Sequence, residues 1–302
     1  MNSRACPICD TTSALASLFL NENITHSKLS EFSFASRKVP EYMCHRMVLC
    51  PTCQLIYVDS PPTVEILAEA YHKAGYDSME EANDAASAYA RAVAPVLGLL
   101  TGREAALEIG AGTGIFLAHL AAVGFVKLVG VEPSTEAILA ALPEHRRWLR
   151  EGVFEENDFE RESFDLICCF MTLEHVRDPS DLARSALRLL RPRGVFLTVT
   201  HNYRSPVNRL LGKKSPIIDI EHMQLFSDNS IKELLGRAGF KNINVAGFAN
   251  RYSLRYWLRL APLPSSLKNI FVQIIDLPFM RKRKLSLNVG NMLAWGFKGH
   301  DG

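Results

Sequence analysis

The stretch ALEIGAGTGIF at residues 106–116 sets the tightest limit on what this chain can fold into. An apolar run that ends in three closely spaced glycines and continues as IFLAHLAAVG reads as strand, tight turn, helix. The alternation then repeats. LVGVE at 128–132 is followed by STEAILAAL, FDLICCF at 164–170 by PSDLARSALRLLRPRG, and VFLTVT at 195–200 closes the series. DNSIKELLGRAGF and KNINVAGFA add a later helix and strand. Short apolar strands alternating with helices predict an α/β fold, a doubly wound, mostly parallel, Rossmann-like sheet covered on both faces.

The glycines fall at Gly110, Gly112 and Gly114, and Ile115 stands where a dinucleotide fingerprint would place a spacer before its third glycine. That spacing speaks against NAD. Glycines here let backbone approach a ligand closely, and the helix that follows presents free N–H groups toward it. Glu108 lies at the strand end before the loop, and Glu132 ends the next strand. A carboxylate at the second position can accept both hydroxyls of a ribose.

ALEIGAGTGIF, VGVEPS, SFDLICCFMTLEHVRDP and LLRPRGVFLTVT together resemble, in order and spacing, the successive motifs of class I S-adenosylmethionine-dependent methyltransferases. The resemblance covers roughly residues 100–248. It implies that Gly110, Gly112 and Gly114 pass beneath the methionine part of S-adenosylmethionine, that Glu108 meets its amino group and that Glu132 holds the ribose. Phe170 and Met171, after the fourth strand, would flank the sulfonium. An acidic residue that often meets the adenine is not evident in REGVFEENDF, where Val153 and Phe154 suggest apolar packing.

Of seven cysteines, four form two close pairs, CPIC at 6–9 and CPTC at 50–53. Each places two thiolates on one side of a tight turn, and two such turns complete a tetrahedron, so Cys6, Cys9, Cys50 and Cys53 are the expected zinc ligands. Cys44 and His45 are the alternatives. The arrangement resembles the N-terminal zinc-binding domain that precedes some sugar and small-molecule methyltransferases. Four thiolates leave no open position, so the zinc would be structural. Cys168 and Cys169, in an apolar strand, read as core.

Four segments follow: a zinc-binding module at 1–60, a helical linker region at 61–100, the methyltransferase domain at 101–248 and a basic aromatic extension at 249–302. The extension carries nine Lys/Arg against Asp276 and Asp301, a charge of +7 in a chain of net +2. It includes RKRK at 281–284 and the set Arg251, Tyr252, Arg255, Tyr256, Trp257 and Arg259, which suits a sugar or nucleotide platform or peripheral contact with a membrane. No apolar run of 18 residues and no secretory h-region occurs, so the chain is expected in the cytoplasm.

Methyl transfer from a sulfonium needs alignment, exclusion of water and, for a poor nucleophile, a base. Candidate bases are Glu174 and His175 in TLEHVRDP, His201 and Tyr203 in VTHNYRS, and His222 in DIEHMQLFS. His201 directly follows a buried strand, where ligands of doubly wound sheets gather. His222 ends a long irregular stretch whose Arg209, Lys213 and Lys214 could hold an anionic group. The expected acceptor is a small polar or anionic metabolite, with sugar-nucleotide or glycan precursors first. The alternatives are a lipid-linked or aromatic natural-product intermediate, or RNA. The zinc module is not strongly basic and no aromatic-basic repeat occurs, so nucleic acid is not an expected partner.

Overall fold

The computed structural model describes residues 3–35, 40–277, 280 and 283–299. In chain order its strands are β1 (Ser17–Leu20), β2 (Met47–Leu49), β3 (Ile56–Val58), β4 (Ala105–Ile109), β5 (Lys127–Glu132), β6 (Leu149–Glu151) and β7 (Phe164–Phe170). β8 (Leu190–His201), β9 (Gln224–Leu225), β10 (Lys241–Ser253) and β11 (Lys284–Phe297) follow. The helices are α1 (Val64–His72), α2 (Met79–Leu97), α3 (Ile115–Ala122), α4 (Thr135–Ala140), α5 (Pro143–Arg146), α6 (Pro179–Leu189) and α7 (Pro206–Leu211). α8 (Asp228–Ala238), α9 (Leu254–Leu260) and α10 (Ser265–Ile275) complete them.

The large sheet runs β10-β11-β8-β7-β4-β5-β6. β4, β5, β6, β7 and β8 pair in parallel, while β11 is antiparallel to both β8 and β10. Every residue of β4 and β7 is buried, as a parallel strand covered on both faces requires. Cys168 and Cys169 lie in that core, as expected. From β4 the chain winds outward through β5 and β6, then returns to β7 on the other side of β4, and the reversal opens a crevice at the carboxyl ends of these strands.

The helices are set by local signals. Asp178 caps α6 by accepting from the Asp181 N–H, with Pro179 in the first turn. Ser227 and Ser230 form a reciprocal box at the start of α8, and Gly239 ends it with φ +107°.

Two segment boundaries read from the sequence are corrected. β10 crosses residue 248, and β11 lies between β8 and β10, so the tract after 249 supplies an interior strand of the main sheet rather than an appended extension. The aromatic-basic stretch is an excursion, α9 and α10, between those two strands. The first 60 residues also do not close on themselves. Their small sheet, β1-β2-β3-β9, takes its last strand from residues 224–225. Cys6, Cys50 and Tyr57 pack in one apolar core with Leu107 and Ile167 of the main sheet. No helix among the described residues is long and apolar enough to cross a membrane.

Candidate active site

The loop after β4 adopts the left-handed backbone at all three glycines, with φ of +75°, +55° and +69° at Gly110, Gly112 and Gly114. A Cβ on Gly110 would come within 2.1 Å of Thr172 Oγ1, whereas one on Gly112 would meet nothing within 4 Å. The first glycine is thus demanded by packing. The second leaves bare backbone facing open space, the cradle a close-lying ligand needs.

Glu132 closes this loop: its carboxylate accepts from the Gly112 N–H at 2.7 Å and from the Ser134 N–H at 2.8 Å. Burial pushes its pKa above the usual carboxylate range, against the pull of those two hydrogen bonds. Glu108, Gly110, Gly112, Glu132, Phe170 and Met171 all line a single cavity of about 710 Å³, as do Val153 and Phe154. Gly114 instead starts α3, whose first-turn N–H groups lie at the loop. Phe170 stands edge-on to Tyr89 and Phe116, with ring centroids 5.1 and 4.7 Å away. Met171 takes φ +52°, a strained turn directly after β7. Bare glycine backbone, the Glu132 carboxylate and the apolar side chains of Val153 and Phe154 in one cavity fit S-adenosylmethionine.

The same cavity runs on to a second, polar end. His175, His201 and His222 line it with Tyr71, Asp219 and Glu221. Glu174 lies beneath them with no exposed surface. Its carboxylate accepts from the His201 backbone N–H at 2.9 Å, and both its oxygens lie 3.2 Å from His201 Nδ1. A carboxylate can only accept, so Nδ1 carries a proton, and in the neutral ring Nε2 holds the lone pair. Burial opposes charge on His201, but Glu174 outweighs it and raises the imidazole pKa. Burial lowers that of His222.

Other expected site residues lie elsewhere. Tyr203 does not line the cavity: its hydroxyl donates to the Gln54 carbonyl at 2.9 Å, tying β8 to the second cysteine turn. Arg209, Lys213 and Lys214 are absent from the lining as well. Tyr252, Tyr256 and Trp257 do line it, whereas Arg255 and Arg259 pair with Asp276 and Glu81. Arg251 is exposed. Arg281 and Lys282 of the RKRK run fall outside the described residues.

The sequence pattern did not single out α1 and α2 as cavity walls, yet they supply Leu67, Tyr71, Ala86 and Tyr89. Asn250 and Asn291 were missed too; a polar residue inside an otherwise apolar strand run is the signal that marks Asn291.

The four cysteine sulfurs lie within 4.8 Å of one another, with Cys6 to Cys53 and Cys9 to Cys50 each at 3.5 Å. Asp10 and Gln54, each directly after the second cysteine of its pair, both take positive φ, so the two turns repeat one backbone shape. Cys44 sits instead among Met47 and Ile56, outside the group, and His45 is not part of it. A buried, closed four-thiolate set fits a structural zinc ion.

A model of the methyltransferase domain family matches residues 79–245, more than half the chain. The chain belongs to that family. Ubiquinone biosynthesis O-methyltransferase of Aliivibrio fischeri is 28% identical over 156 residues, which cover 47% of this chain and 65% of that protein. The enzyme of the same name from Alkalilimnicola ehrlichii is 30% identical over 128 residues, 40% of this chain and 51% of its own length. The matches thus span less than two thirds of these relatives. Among solved structures, YcgJ protein from Bacillus subtilis superposes with a TM-score of 0.49 at 17% identity, covering 70% of this chain and 99% of that one.

Proposed function

We propose that the protein transfers the methyl group of S-adenosylmethionine to a hydroxyl oxygen of a small acceptor. One observation carries this reading: a single cavity joins the glycine cradle and Glu132 at one end to His201, held by Glu174, at the other. Bound at the first end, S-adenosylmethionine supplies an activated methyl on a sulfonium, whose C–S bond electrons stay with sulfur when the methyl leaves. The chain's own work is alignment, drying and proton removal. Tyr89, Phe116 and Phe170 build the apolar wall beside the methionine end. His201 takes the hydroxyl proton at Nε2 as the acceptor oxygen forms its bond to carbon, and Glu174 keeps the ring turned for it.

The acceptor fits an apolar or aromatic body better than the anionic metabolite first expected. Among the described residues, the Lys/Arg lining the cavity are Arg177 and Arg188. Arg177 donates to the carbonyls of Pro61 and Pro62, and Arg188 is paired with Glu156. The Arg188 charge is thus met by a carboxylate, and Arg177 has its Nη1 committed to backbone. Tyr252, Tyr256, Trp257 and Leu260 offer aromatic and apolar contact instead. The names of the matching relatives, O-methyltransferases of ubiquinone biosynthesis, support an oxygen acceptor. The exposed row Leu267, Ile270, Phe271 and Ile274 on α10, which packs on α9 at the cavity, supports acceptors with a lipid tail and peripheral membrane contact.

The test is transfer of labelled methyl from S-adenosylmethionine to a panel of hydroxylated aromatic compounds and sugar nucleotides. His201→Ala should cut turnover about 10²–10⁴-fold with little change in cofactor affinity. Tight NADH binding with none for S-adenosylmethionine would sink the reading.

A further inference from the structure

Proton transfer to His201 leaves part of the polar end unexplained. A carboxylate oxygen of Glu174 and one ring nitrogen each from His175 and His222 lie within 4.8 Å of one another. Two imidazoles and a carboxylate at that spacing form a donor set for divalent first-row metals, and a set of three leaves coordination positions open.

The ring orientations supply a second, independent observation. His222 Nδ1 lies 2.8 Å from the Ile217 carbonyl, which can only accept, so Nδ1 carries the proton. His175 Nδ1 lies 2.7 Å from the Tyr71 hydroxyl, whose own proton points to the Glu221 carbonyl at 3.3 Å. The Glu221 carboxylate is 3.4 Å from the same ring nitrogen. With the Tyr71 proton on that carbonyl, Nδ1 of His175 donates to the Tyr71 oxygen and the Glu221 carboxylate, and Nε2 of both rings then holds the lone pair. Metal-bound histidines are fixed in this manner, with the other ring N–H committed to a carbonyl, a carboxylate or another polar group. Glu174 is fixed too, by the His201 N–H. A buried carboxylate and one nitrogen from each of two imidazoles, gathered this closely, are a set that a cation among them would stabilise.

We propose that Glu174, His175 and His222 bind one divalent transition-metal ion whose open positions face the cavity and take oxygen atoms of the acceptor. A vicinal dihydroxy compound, able to chelate, is the matching class. The ion would polarise the bound hydroxyl, and its proton would pass to His201 Nε2 as the oxygen bonds to the methyl carbon. The acceptor clause rests on the oxygen-acceptor reading above; ion binding does not.

The probe is Mn²⁺, titrated into the full chain with its cysteine cluster kept zinc-loaded, while the resonance signal of free Mn²⁺ is followed. Manganese favours oxygen and nitrogen over thiolate, so it reports on this cluster and not the cysteines. One ion per chain is expected, and His222→Ala and Glu174→Gln should each weaken binding by at least roughly tenfold. S-adenosylhomocysteine binding by calorimetry checks that each variant is folded, and His175→Gln replaces any variant that is not. A wild-type chain that binds S-adenosylhomocysteine but no Mn²⁺ overturns the proposal, as do folded variants that bind Mn²⁺ unchanged. Site-dependent Mn²⁺ binding without methylation of any dihydroxy compound would overturn the oxygen-acceptor reading and leave the ion site standing.

Discussion

Glu132 meets two demands with one carboxylate on the proposed reading, since it pins the glycine loop through Gly112 and would also accept from the ribose of S-adenosylmethionine. Glu132→Ala should weaken S-adenosylmethionine binding by about 1–3 kcal/mol, read by calorimetry, through loss of charge-assisted hydrogen bonds. Because burial raises its folded-state pKa, the ionised form that would accept ribose hydroxyls is lost as pH falls toward that raised value. Affinity should therefore decline on acidification earlier than an ordinary glutamate would allow, and Glu132→Gln should flatten that decline. The unliganded fold responds with the opposite sign, because an acid whose pKa is raised by folding favours the folded state below its unfolded pKa and loses that contribution as pH rises. Gly110→Ala confronts Thr172 as well as a left-handed backbone, and a loss of about 1–3 kcal/mol in denaturant unfolding is expected. These residues were legible in the sequence because the motif is local: the glycines and Glu108 share one turn, and Glu132 ends the adjacent strand. Tyr71 and Glu221 were not, since each meets His175 only after folding spans 104 and 46 residues respectively.

Among the elements, β10 and β11 show where pattern reading stops. The run LSLNVGNMLAWGF has the composition of a strand, yet nothing in it says that the strand enters between β8 and β10. That placement is set by pairing of Val195–His201 with Phe297–Asn291, partners about a hundred residues apart. Removing everything after Ala249 should therefore do more than weaken acceptor binding. It strips β8 of its neighbour and should leave a chain that aggregates or melts without a cooperative transition, checked by circular dichroism and size-exclusion chromatography. A soluble, cofactor-binding truncate would show that the parallel strands suffice alone. α1 and α2 escaped functional assignment for a related reason, since an alanine-rich helical period shows that a face is buried but not which cavity it borders.

On the scale of the whole molecule, the cysteine cluster and the methyltransferase core are mechanically one. The Pro7 carbonyl accepts from Ser180 at the start of α6, and Gln54 accepts from Tyr203 and Asn229, so both cysteine turns brace the larger part. Metal analysis should find one zinc per chain in addition to any ion at the histidines, and Cys50→Ser should release it. Because Cys50 shares a core with Leu107 and Ile167, that loss should lower the single melting transition of the entire chain and weaken S-adenosylhomocysteine binding. Separate melting of the first 60 residues, with that affinity unchanged, would show two independent cores. The position of β11 also governs the order in which the molecule can be made. While residues up to about 280 have left the ribosome, the nascent chain already owns five parallel strands, but β8 still presents a bare edge of buried-type residues, Val195 to Val199. Only emergence of residues 284–297 covers that edge, so the growing polypeptide passes through a sticky, half-closed stage during translation, and chaperones that bind exposed strands have a defined window in which to act.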